Sequence, residues 1–199
     1  MIPRHLQIGI IFLFIAIVVM AFYARRMRGR VAETDSQASD NRLVAPPVSG
    51  ATEQVTLYVA YDDSGVLRPQ IARIPLPSGR QQRGQELLRA LLQLYLEKNS
   101  PHPLPASADI PDLYIVDPGL AVIDMNGAFS DNHRSGILVE ELTVASLAET
   151  LLANVPGINR VKILVDGKER PTLAGHADLT QFYDIAMVSK MVNQLQANQ

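Results

Sequence analysis

The chain has 199 residues, enough for one ordinary domain with appendages and too few for two of full size. Lys and Arg total 18 against 20 for Asp and Glu, and Trp is absent, so no basic excess points to nucleic acid as a partner. Cys is absent too, which excludes disulfides, thiol catalysis, cysteine-bearing zinc sites and a lipid-modified N-terminal Cys.

From Leu6 to Ala24 the chain reads LQIGIIFLFIAIVVMAFYA, 19 residues without a formal charge. About 20 such residues cross a hydrocarbon core, so residues 1–24 are expected to be a single transmembrane anchor. A cleaved signal peptide is the alternative, but the apolar run exceeds the usual ~7–15 residue core and Val19-Met20-Ala21 is a weak cleavage site. No face of the segment is polar, which argues against a buried helix of a soluble protein. Arg25, Arg26, Arg28 and Arg30 follow the segment, whereas Arg4 and the chain's amino group precede it, and the positive-inside rule would keep the C-terminal flank in the cytoplasm. Residues 25–54, rich in Ala, Ser, Asp and Pro beyond that cluster, have no periodicity and read as a flexible tether.

A compact domain is expected over residues 55–183. VTLYVAYD, from Val55, is β-branched and aromatic, and Asp63-Ser64-Gly65 turns it into LRPQIARIPL, a hairpin. Leu87, Leu88, Leu91, Leu92 and Tyr95 recur at helical spacing over Gln85 to Lys98. After the Pro-studded loop SPHPLPASADIP, the stretch DLYIVDPGLAVIDM predicts two short strands about a type II turn at Asp117-Pro118-Gly119. Val144, Leu147, Ala148, Leu151, Leu152 and Val155 form the apolar stripe of a second helix, Glu140 to Val155, stopped by Pro156-Gly157. NRVKILVDG then alternates, with Val161, Ile163 and Val165 on one face and Arg160 and Lys162 on the other. The order ββαββαβ predicts an α+β fold, two helices on one face of a mainly antiparallel sheet. Residues 184–199 are an amphipathic tail, with Ile185, Val188, Val192 and Leu195 roughly in helical register, either an extra helix or a partner contact.

Candidate chemistry centres on His133, Glu140 and Glu141, and on Asp124, Asp166, His176 and Asp178. A His beside carboxylates can act as general acid or base, or supply metal ligands. No H-E-x-x-H, G-x-S-x-G or phosphate-cradling Gly motif accompanies them, so no metal or cofactor is implied. Asp166-Gly167 reads more simply as a turn with Gly at positive φ, and Gly175 as a second crowded bend beside His176. On this reading the two pairs fasten the end of the domain to its sheet, Pro171 marks an edge segment, and Leu179 and Phe182 return to the core.

Read together, LAVIDMNGAF, GILVEELTVASLAETLL and INRVKILVDGKERPTLAGHADLTQFY resemble the GerMN domain, a family named from a bacterial spore germination and sporulation protein. The resemblance spans about Val55 to Phe182, with a single copy and no lipidated Cys. It implies an extracytoplasmic domain without catalytic residues, binding or scaffolding in a membrane-anchored envelope protein, against the charge bias of Arg25 to Arg30. The function expected is therefore a membrane-anchored, non-catalytic module that meets envelope proteins or cell-wall glycan through a sheet edge or the tail. The alternative is a cell-wall hydrolase using His176 and Asp178, with Asp124 nearby. Oligomeric state is left open.

Overall fold

A computed structural model describes residues 50–197. The expected anchor and nearly all of the tether lie outside these residues, and among the described ones no helix is long and apolar enough to cross a membrane. The fold is α+β. Strands β1 (Thr52–Tyr61) and β2 (Val66–Pro75) are followed by helix α1 (Arg80–Leu96), strands β3 (Asp112–Val116) and β4 (Leu120–Met125), the short helix α2 (Gly127–Asp131), helix α3 (Ile137–Asn154), strands β5 (Arg160–Val165) and β6 (Tyr183–Asp184), and helix α4 (Ile185–Ala197). β1 thus begins three residues inside the segment read as tether.

The single antiparallel sheet expected from the sequence is in fact two. β1 and β2 form a separate antiparallel hairpin, and the second sheet is mixed, in the order β3-β4-β5-β6 with β4 and β5 parallel. The reason is the crossover: α2 and α3 return the chain to the starting end of the sheet, so β5 must run alongside β4 in the same direction. β3 and β4 meet across a loop whose Asp117–Pro118 peptide is cis, in place of the expected type II turn.

α3 lies between the hairpin and the mixed sheet and is buried at every residue from Leu142 to Ala148. Its apolar stripe packs into the core as expected, but its small polar residues do not face water. Asn154 Oδ1 accepts from Thr56 N at 3.3 Å while its Nδ2 donates to Thr56 O at 2.7 Å. Thr150 Oγ1 accepts from Tyr58 N, Ser146 Oγ donates to Tyr58 O, and the Tyr95 hydroxyl accepts from Ala60 N. The inner edge of β1 is therefore satisfied by side chains rather than by another strand, as buried backbone requires.

That pattern fixes which groups face outward on the other strand. Thr56, Tyr58 and Ala60 point their amides at α3 or α1, so their cross-strand partners Ile71, Pro69 and Leu67 present their backbone to the open edge of β2, and so does Pro75. Two of those outward positions carry no N–H, and the edge offers no continuous ladder to an incoming strand. β3 is closed differently: the Gln81 side-chain amide donates to Leu113 O and accepts from Ile115 N.

The tail forms a helix whose Val188 is buried in the core. Phe182, expected in the core, is 48% exposed, and its neighbour Tyr183 takes the buried place on β6. Lys162, expected on the solvent face, is buried, its ammonium donating to Leu179 O and Thr180 O at 3.0 and 2.6 Å and pairing with Glu169. The segment after β5 folds over that lysine's stem, which the alternation of β5 could not show.

Candidate functional site

Most of the residues singled out from the sequence fall into three separate places. Asp124 and Asp166 sit at the C-terminal ends of the parallel strands β4 and β5. Asp124 Oδ1 accepts from Gly167 N at 2.8 Å, and Asp166 Oδ1 accepts from Gly127 N at 2.9 Å. Each carboxylate thus holds the loop that follows the other strand. The turn is as tight as its sequence implies: Asp166 and Gly167 adopt φ of 50° and 70°, and a Cβ on Gly127 would lie 2.6 Å from Asp166 Oδ2.

The second place is Glu140, one of the carboxylates nominated at the start of α3 but given no role in the clasp. Its side chain has no exposed surface. Oε2 accepts from Ala174 N, His176 N and Ala177 N at 2.9, 2.8 and 3.0 Å, and Oε1 accepts from Gly136 N at 3.1 Å and lies 2.9 Å from His176 Nδ1. Gly175, at φ 123°, bends the loop so that these amides converge on one point. Burial alone would raise the Glu140 pKa, but the His176 ring and the amides of Gly136, His176 and Ala174 bring it down to about 2. A converging set of N–H groups is a ready anion cradle, and here the protein's own carboxylate fills it.

His176 is therefore the outer member of the clasp, its side chain 41% exposed, and the buried hub is Glu140. Ser135 Oγ lies 3.4 Å from His176 Nδ1. Ser135, His176 and Glu140 have the residue types of a nucleophilic triad, but serine and carboxylate meet the same ring nitrogen. A proton relay needs one on each side of the imidazole. Asp178, the partner envisaged for His176 in hydrolysis, bonds instead to Thr180 N and Oγ1 at 2.8 and 2.6 Å, which hold its carboxyl below the usual range. Asp124 likewise holds the turn after β5 rather than His176. Among the described residues no group of His, Asp and Glu has the arrangement of a metal site.

The third place was only half visible in the sequence. His133 is buried, and its Nε2 lies 2.8 Å from Thr143 Oγ1, which is also 2.7 Å from His102 Nε2. His102 Nδ1 faces Asp62 Oδ1 at 2.5 Å, and the Arg134 guanidinium donates to Asp62 Oδ2. His102 lies in the Pro-rich loop, and only its company of apolar neighbours, Leu104 and Ala108, could have marked it as interior. Glu141 joins none of these groups; burial raises its carboxyl.

Residues 56–171 match the family described as Germane: Sporulation and spore germination. No curated protein sequence matches the chain. Among solved structures, the tandem GerMN domains of the sporulation protein GerM from Bacillus subtilis are similar at 21% identity and a TM-score of 0.51, over 66% of this chain and 45% of that one, so the match spans less than half of the tandem. The first GerMN domain of the same protein matches at 19% identity and a TM-score of 0.45, over 65% of this chain and 94% of that one. A Clostridium perfringens protein described as a lipoprotein matches at 23% identity and a TM-score of 0.48, over 72% and 93%. The family match takes in more than half of the chain, and its span runs from β1 through β5 to Pro171, just before the loop closed on Glu140: the chain belongs to the Germane family of sporulation and spore germination domains.

Proposed function

We propose that this protein is a non-catalytic binding module of the bacterial cell envelope, anchored through Leu6 to Ala24, displayed outside the cytoplasm and serving sporulation or germination. One observation carries the reading. Asp124, Asp166, Glu140 and Asp178 are spent on the domain's own backbone amides, while the outer face of the mixed sheet stays open at β3, with Tyr114, Val116 and nearby Phe182 each about half exposed. Residues of even number on β3, β4 and β5 share that face, so Tyr114 and Val116 on β3 join Leu120 and Val122 on β4 and Arg160 on β5, beside Lys162, which the segment after β5 covers. The Arg160 and Lys162 cations each lie 5.5 Å from the Phe182 ring. Exposed aromatic rings beside arginine are the groups that anchor protein interfaces. This face replaces the sheet edge as the proposed contact, because Pro69, Pro75 and Gln81 occupy the edges. The partner is an envelope protein, with wall glycan the competing occupant.

The chain has no native cysteine, so single introduced thiols report without background. In intact cells, a membrane-impermeant reagent should label Lys98→Cys, and a photo-crosslinking residue at position 114 or 182 should capture a membrane or wall component that the same residue at position 98 does not. Labelling only after lysis, or equal capture from all three positions, would sink the proposal.

A further inference from the structure

We propose that His102, Thr143 and His133 form a buried chain that retains one extra proton in the folded domain, so that the domain is weakened when alkaline pH draws that proton off.

The argument is a count of donors. Asp62 and the Arg134 carbonyl can only accept, so each ring must carry its proton on Nδ1, His102 toward Asp62 and His133 toward Arg134 O at 2.8 Å. Two neutral rings would then both present bare Nε2 atoms to Thr143 Oγ1, at 2.7 and 2.8 Å. The hydroxyl has one proton, and the Val139 carbonyl 3.0 Å away competes for it. With neutral rings at least one buried nitrogen faces an oxygen lone pair, a contact that costs the desolvation of both. One added proton removes the conflict: His102 donates from both nitrogens, Thr143 donates to His133 Nε2, and His133 donates to Arg134 O.

The surroundings place the proton on His102. Burial would raise the Asp62 carboxyl, but His102 and Arg134 hold it below the usual range, so a carboxylate stands opposite that ring. Burial pushes His133 down, against its bond to Arg134 O, which leaves it the neutral member. Tyr95, edge-on to His102 at 4.9 Å, is pushed up to about 12 by burial and adds no charge. Phe129 stacks on His133 without charge, and the remaining charged neighbour, Glu140, is committed to the clasp.

Unfolding of the full chain at pH 7 to 9 tests this. An unfolded imidazole is mostly neutral there, so unfolding releases the proton and the unfolding constant should rise with pH, approaching tenfold per unit. Asp62→Asn and Thr143→Val should flatten that slope, and Thr143→Ser should keep it, which separates the relay from general damage at α3. Nitrogen NMR of the two rings near pH 7.5 should find one imidazolium and one Nδ1-protonated neutral ring. Stability flat across this range, or two neutral rings in the parent protein, would overturn the proposal.

Discussion

Two acid–imidazole pairs hold this domain, and they are built inside out with respect to each other. In Glu140–His176 the carboxylate has no exposure and the imidazole is 41% exposed; in Asp62–His102 the imidazole has none and the carboxylate is 14% exposed. The buried member carries the structural burden in each case, because its partners cannot be replaced by water. The same carboxylate–imidazole pairing therefore fails at opposite ends of the pH scale and responds differently to truncation.

The largest break in that comparison is Glu140→Ala, which strands the converging amides of residues 174, 176 and 177. We expect a loss of about 3–5 kcal/mol in denaturant unfolding, whereas removal of the exposed partner in His176→Ala should cost only about 1 kcal/mol. Acid should act through the same hub. The folded pKa of Glu140 is depressed to about 2, so its contribution is complete above the unfolded carboxyl range and is lost as pH falls from about 4.5 toward 2. Roughly 3 kcal/mol of stability should disappear over that window, and Glu140→Gln should remove most of the dependence. Gly175→Val, forced to φ 123°, should cost about 1–3 kcal/mol through strain. The smallest effect is expected for Ser135→Ala, within about 0.5 kcal/mol in the same melt, since its 3.4 Å contact is long and exposed. A loss from Ser135→Ala as large as that from Glu140→Ala would reverse the assignment of hub and rim.

The sequence shows the elements more clearly than their arrangement. The Leu spacing of α1, the stripe of α3 and the alternation of β5 are local periodicities, and each element forms where they fall. The division into two sheets depends on contacts between residues 88 to 98 positions apart, made by Ser146, Thr150 and Asn154, whose spacing looks like an ordinary wet face. Gly175 and the Asp166-Gly167 turn were legible because positive φ leaves a mark on residue choice. Glu140 was visible only as one acid of a pair, since nothing local says which of two adjacent carboxylates will turn inward. His102 stood in a loop, where burial has no periodicity to betray it.

The side-chain attachment of β1 to α3 also sets an order of biosynthesis. The hairpin is local and can close as soon as Pro75 has left the ribosome, long before its inner edge has a partner. Thr56 and Tyr58 then wait for residues about ninety positions later, and until α3 emerges the hairpin carries an open inner edge. On the other side Pro69 and Pro75 already blunt β2, so the vulnerable interval belongs to one edge alone, and it ends when Asn154 reaches Thr56.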